Sequence, residues 1–356
     1  MNTLLWFLLT LLIAYIFGTI AVKIKIPAGG MIGAMIGVAL LNLVTGQAYM
    51  YSILRTAVQV CLGTMSGYRV GQRELKTMGK LIVPIICMLL ICLILNVVFG
   101  VIIVKTTALD IGTSLLAITP GGATDMVFVA ADIGADTGMV GLLQSLRMIY
   151  CNGVLPIFFV AMINRKNQKN GKEEHWKKCS AATAGDPVSR SFGKRVAMFA
   201  VATCGGLLFN RLGVPGGVLV GALVFTVAFT CIFGKTEYPA PMRRYQQMLS
   251  GAYIGTSITY ATVSMIPSMM FAVVVILIDI MIYVFLMSFV LGKISNMDYG
   301  TRMLCSTPGG IGEATILSEE LETDTATIAT MNTVRMIMVV AAFPTIISWV
   351  SQLLNG

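Results

Sequence analysis

Two short runs, Thr119-Pro120-Gly121-Gly122 and Thr307-Pro308-Gly309-Gly310, carry the residues best able to do chemistry in this chain. Proline has no backbone N–H and paired glycines reach dihedrals closed to other residues, so a helix arriving at either run breaks there. A break leaves carbonyls free on one side and N–H groups free on the other. The N–H groups that open the following helices, at 123 and 311, favour an anion, while the preceding carbonyls and the Thr119 and Thr307 hydroxyls can hold a cation. Thr119, Gly121, Gly122, Thr307, Gly309 and Gly310 are therefore candidate substrate-binding positions.

Each run is followed by an arginine midway through an apolar stretch, Arg147 in QSLRM and Arg335 in NTVRM. A charge at such a depth is costly and turns toward a cavity or a partner. Either guanidinium could clamp a substrate carboxylate bidentately, or pair with the acids that follow the glycines, Asp125 and Glu313; both readings stay open. Gln144 and Asn332, like Ser145 and Thr333, are matched polar neighbours. Asp125, Glu313 and the mid-span Asp279 are candidates for coupling to a proton or cation, Asp279 being equally readable as a helix-to-helix hydrogen bond. Asp132, Glu319, Glu320, Glu322 and Asp324 read as solvated acids near the membrane surface.

The elements that must position these groups are apolar. Of 356 residues only 12% are charged, about half the share of a soluble domain, so the chain belongs in a bilayer. The single histidine, His175, lies in the most polar stretch, which removes His-based triads and His-ligated metal sites and makes an enzyme an unfavoured rival. No cofactor motif is present. The eight cysteines form no CxxC pair and read as small buried hydrophobes, and the many methionines read as packing residues. Residues 1–22 lack the basic start of a signal peptide and read as a first spanning helix.

Stretches of roughly 17 to 25 apolar residues cross a hydrocarbon core. They fall near 3–21, 29–45, 50–68, 81–104 and 137–163, and again near 195–210, 214–234, 245–262, 265–292 and 325–353. A Gly-interrupted region, 108–133 or 300–322, precedes the last span of each set, and the hydrophilic stretch 164–194 divides the chain. If each interrupted region enters and leaves on one face, twenty of the twenty-five Lys and Arg fall on the cytoplasmic side, the eight of the linker and the adjoining Arg195 among them. With that charge on the cytoplasmic side the +9 excess is no nucleic-acid footprint.

Sliding the chain by 188 positions lays 118–158 on 306–346 with ten of 41 residues identical, both TPGG runs and both arginines among them. The same offset aligns 26–37 with 214–225, and an offset of 192 aligns Gly63-Thr64 with Gly255-Thr256. Five crossings per copy is an odd number, so the copies must lie inverted; loops near 47 and 236 are expected on opposite faces. The expected organisation is a first membrane repeat over 1–163, a cytoplasmic linker over 164–194 and a second repeat over 195–356. This is an all-α polytopic membrane protein with a broken or re-entrant TPGG segment in each repeat.

The doubled TPGG…RM pattern, as TPGGATDM and TPGGIGEA, resembles the AbrB duplication family of membrane proteins over essentially the whole chain. That resemblance implies kinship with cation–proton antiporters and organic-anion symporters. It fixes no substrate. Inverted repeats with paired breaks imply a secondary transporter of the inner membrane, moving a small anionic or zwitterionic organic solute with proton or Na⁺ coupling open. Its partners would be the lipid bilayer and the solute or ion, with no nucleic acid and homo-oligomerisation left open. The rival reading is a non-transporting membrane sensor or regulator acting through the linker, which at about 31 residues is short for a folded effector domain.

Overall fold

The computed structural model describes residues 3–24, 28–72, 78–79, 81–156, 191–236, 238–295, 297–309 and 323–355, together with 158, 159, 162, 314, 317, 318 and 321. Most of the linker, as well as Gly310, Glu313, Glu319, Glu320 and Glu322, lies outside the described residues.

The protein is all-α. In chain order the helices are α1 (Thr3–Lys23), α2 (Gly29–Thr45), α3 (Ser52–Gly67), α4 (Ile82–Thr106), α5 (Ile111–Ile118), α6 (Ala123–Ile133) and α7 (Thr137–Ile149), then α8 (Phe192–Arg211), α9 (Gly217–Phe233), α10 (Ala240–Ser257), the single turn α11 (Tyr260–Ser264), α12 (Ile266–Ile294), α13 (Tyr299–Ser306) and α14 (Thr325–Asn355). Helices α1, α4 and α8 and most of α12 and α14 are long and apolar enough to cross a membrane. Leu4, Leu5, Leu8 and Leu12 of α1, and Ile82, Ile86, Leu90 and Ile94 of α4, leave their side chains exposed, which water would penalise and lipid tails do not.

Two elements differ from expectation. The fifth span does not run as one α-helix: α7 passes into a π-turn over Tyr150–Val154. Pro156 supplies the reason, because its ring clashes with the carbonyl four residues back and it cannot donate there. The span expected near 245–262 is shifted toward the N-terminus, since α10 already begins at Ala240 behind Pro239 and ends at Ser257.

Helices α2 and α10, and likewise α9 and α3, pack face to face, with α1 against α2 and α8 against α9. Small residues allow this. A Cβ on Gly63 would lie 2.4 Å from the Leu219 carbonyl oxygen, and one on Gly251 would lie 2.2 Å from that of Met31. One turn further, a Cβ on Gly67 or Gly255 would lie 2.7 or 2.8 Å from the Leu223 or Met35 oxygen. Every pair maps onto its counterpart by 188 positions, so the contacts are reciprocal about an approximate twofold axis. This corrects the offset of 192 at Gly63: its structural counterpart is Gly251, and the shared feature is a G-xxx-G spacing that lets two backbones meet. These six helices form a scaffold. The remaining ones, centred on α4 against α12, form a second unit that carries both breaks.

Each interrupted region doubles back on itself. Asp110 caps α5 by accepting from Thr113 N at 2.9 Å, and the Thr113 hydroxyl in turn accepts from Asp136 N, also at 2.9 Å. Asp136 caps α7. In the second copy Asp298 accepts from Thr301 N at 3.0 Å, Thr301 Oγ1 accepts from Asp324 N at 3.2 Å, and Asp324 caps α14. The two ends of each region are thus tied together by one Asp-x-Gly-Thr corner and one later aspartate. Asp324 is a helix cap, not merely a solvated acid.

Candidate functional site

A cavity of about 200 Å³ lies where the two breaks converge. Pro120, Gly121 and Gly122 reach it from the first copy, and Pro308 and Gly309 from the second. Arg147, Arg335 and Asp125 line it, as do Arg69 and Arg243 from the scaffold. Four guanidiniums thus face a single carboxylate among the described lining residues.

Both intramembrane arginines are buried, with 2% of each exposed. They are held by backbone. Arg147 donates through Nη1 to the Thr119 carbonyl and through Nη2 to the Gly121 carbonyl at 2.7 Å, with a longer 3.4 Å approach to Ile118 O. Gln144 Nε2 donates to Leu116 O and Thr119 O at 2.6 and 3.0 Å. Together they satisfy the carbonyls that the end of α5 leaves without intrahelical partners. The second copy repeats the device: Arg335 donates to Thr307 O at 2.9 Å and Asn332 to Leu304 O at 3.4 Å. A buried cation surrounded by carbonyl oxygens explains how the breaks persist at depth. Neither arginine forms an ion pair with Asp125 among the described residues, while Glu313 lies outside them. The Nε of each arginine stays unpartnered.

The two threonines serve the helices rather than the cavity. Thr119 Oγ1 donates to Leu115 O at 2.7 Å and accepts from Asn96 Nδ2 of α4 at 2.9 Å. Thr307 Oγ1 donates to Met303 O at 2.9 Å. Of the candidate positions, Gly121, Gly122, Gly309, Arg147, Arg335 and Asp125 meet around the cavity; Gly310 and Glu313 lie outside the described residues.

Asp125, in the first turn of α6, is 3% exposed, and its Oδ1 has no hydrogen-bond partner. Its other oxygen folds over Gly122, where a Cβ would be only 2.3 Å away, so a side chain at 122 would displace the carboxylate. Asp279 stands apart. It lines a much smaller cavity with Asn96, Tyr283, Arg147 and the two prolines of the breaks, and its Oδ1 is also unpartnered. The helix-to-helix hydrogen bond weighed for Asp279 is not made by that oxygen.

At the far end of α6, Asp132 is ion-paired with Arg55 of α3 and accepts from Gln59 Nε2 at 3.2 Å. Asp132 is exposed, as its reading as a solvated acid expects, and these contacts also tie the hairpin to the scaffold.

Spacing gave no notice of Arg69, Arg243 and Gln246 as lining residues. Arg69 and Arg243 were legible only as loop charges, since no periodicity marks a side chain that reaches a cavity from the end of a helix.

Comparisons with known proteins bear on the whole chain. The family model described as "Transition state regulatory protein AbrB" matches residues 1–163 and 49–351. "Putative regulator AbrB" of Escherichia coli (strain K12) is 24% identical over 335 residues, covering 92% of this chain and 91% of that protein. "Uncharacterized protein YhjN" of Bacillus subtilis (strain 168) is 22% identical over 292 residues, covering 80% of this chain and 76% of that protein.

Proposed function

The chain belongs to the AbrB family, and from that premise we propose that it is a secondary transporter of the inner membrane, moving a small anionic or zwitterionic organic solute by alternating access. The observation that carries this reading is the strongly basic cavity at the meeting point of two broken segments. Its volume of about 200 Å³ is below that of pockets for drug-sized ligands, roughly 300–1,000 Å³, and suits a small solute. The reciprocal packing of α3 on α9 and α10 on α2 supports two inverted repeats, with 164–194 as a cytoplasmic linker.

In this reading the scaffold stays fixed while the hairpin-bearing unit rocks against it. Arg147 and Arg335 hold the breaks open by satisfying their carbonyls, which leaves the N–H groups at the start of α6 free to face the solute. Asp125 and Asp279, buried with an unpartnered oxygen each, are the groups for proton or Na⁺ coupling. The protein is not an enzyme, takes no cofactor and binds no nucleic acid.

The test is reconstitution in liposomes with solute-driven changes in internal pH or Na⁺ as the readout. Flux that survives deletion of 166–188 supports a transporter; a phenotype lost with the linker while no flux is ever measured supports the regulator that one relative's name suggests.

A further inference from the structure

The cavity's lining carries charge of both signs. Arg69 and Arg243 line it, neither with an acidic partner among the described residues. Gln246, 3% exposed, accepts from the Tyr238 hydroxyl at 2.5 Å through Oε1 and leaves Nε2 without a partner. These three offer donors. Asp125, 3% exposed, lines the same cavity and offers an unpartnered carboxylate oxygen. The guanidinium best placed by sequence to neutralise it, Arg147, is committed to the Thr119 and Gly121 carbonyls.

A buried carboxylate without a counter-charge costs several kcal/mol unless a proton or a cation reaches it. Guanidinium and amide donors, conversely, match a carboxylate oxygen pair. One solute that carries both charges engages both groups at once, its ammonium taking the place of a proton on Asp125, whereas a simple anion leaves Asp125 to its proton and a simple amine leaves the donors unused. Resting on the transporter reading above, we propose that this is a bipolar site for an amino-acid-like zwitterion, with its carboxylate on Arg69, Arg243 and Gln246 and its ammonium on Asp125. Arg69, Arg243 and Gln246 are then specificity-determining residues.

The experiment uses proteoliposomes holding the full chain and three matched series: the standard L-amino acids, the corresponding 2-hydroxy acids, which lack the ammonium, and the corresponding primary amines, which lack the carboxylate. The expected result is flux of one or more amino acids at least about tenfold above their matched acid and amine, the loss of one charge-assisted hydrogen bond being worth about that factor. Asp125→Asn removes the preference over the hydroxy acid, and Arg243→Gln with Arg69→Gln removes the preference over the amine. Thermal melting of each variant shows that it is folded, and Asp125→Glu restores the preference in part. Hydroxy acids moving as well as amino acids, or a preference unchanged in Asp125→Asn, overturns the bipolar site while the transporter reading stands. No flux in any series from folded wild-type protein counts against that reading itself.

Discussion

Arg55 on α3 and Asp132 near the end of α6 form an ion pair that joins the scaffold to the hairpin-bearing unit, on the side of the molecule where Asp110 and Asp136 also lie. Gln59 Nε2 and a backbone hydrogen bond from Gly216 add to the carboxylate's partners. If the two units move against each other, this contact must part. A half-exposed pair contributes only about 0.2–1 kcal/mol, enough to bias two states without locking either. Arg55→Gln and Asp132→Asn are each expected to speed the reaction of a thiol reagent with a cysteine placed at Ala130, which is fully buried two residues before Asp132 in α6. The exchanged pair, Arg55→Asp with Asp132→Arg, restores protection. Equal labelling rates in all four proteins would sink the role of this contact as a latch.

How far the sequence foretold this arrangement varies by level. The all-α organisation, with five helices long and apolar enough to cross a membrane, was legible because helix-length apolar runs and Pro-Gly-Gly breaks act locally. Both arginines were marked as unusual by their depth. Their partners were not, because a guanidinium bonded to carbonyls leaves no second residue type in the sequence to pair it with, and acids nearby in the chain suggested an ion pair instead. Gly63 aligned with Gly255 because Gly-Thr recurs there, yet the close approach to Leu219 O pairs it with Gly251. The Asp110–Thr113–Asp136 tie, repeated at Asp298, Thr301 and Asp324, was present as a spaced motif and would have been found by asking which caps recur at the repeat offset.

Arg147 satisfies carbonyls on both sides of Pro120. Leaving a buried carbonyl unsatisfied costs about 1–3 kcal/mol each. Arg147→Ala should therefore lower stability by about 3–5 kcal/mol, and Arg147→Lys should recover less than half, because one ammonium cannot span both carbonyls. Chemical unfolding in detergent checks this; full recovery in Arg147→Lys would contradict the assigned bonds.

Backbone contact at the scaffold's twofold predicts a matched pair of glycine phenotypes. Gly63→Ala and Gly251→Ala would each place a methyl within 2.4 Å of a carbonyl oxygen of the facing helix. Overpacking of this kind costs about 1–3 kcal/mol. The control is Gly153→Ala, where nothing lies within 4 Å, and which should be neutral. Melting temperatures of the three variants decide it: the first two should fall together by several degrees, and a neutral Gly251→Ala would refute the α10–α2 packing.

If the repeats are inverted, corresponding loops lie on opposite faces, and the structure sharpens where to look. Thr236, the natural counterpart to a reporter at Gln47, is fully buried and would not react whichever face it lay on. Arg244 is exposed in the first turns of α10 and belongs to the same basic group as Lys235 and Arg243, while Gln47 is exposed after α2. Single cysteines at 47 and 244, in a background with the eight native cysteines replaced, are expected to react with a membrane-impermeant maleimide from opposite sides: Gln47→Cys in intact cells, Arg244→Cys only after the membrane is opened. The expectation follows from charge, since the 235–244 loop holds three Lys and Arg and the 46–50 loop none. Labelling of both positions in intact cells would put those loops on one face, make the duplication parallel, and remove the alternating-access geometry proposed for the cavity.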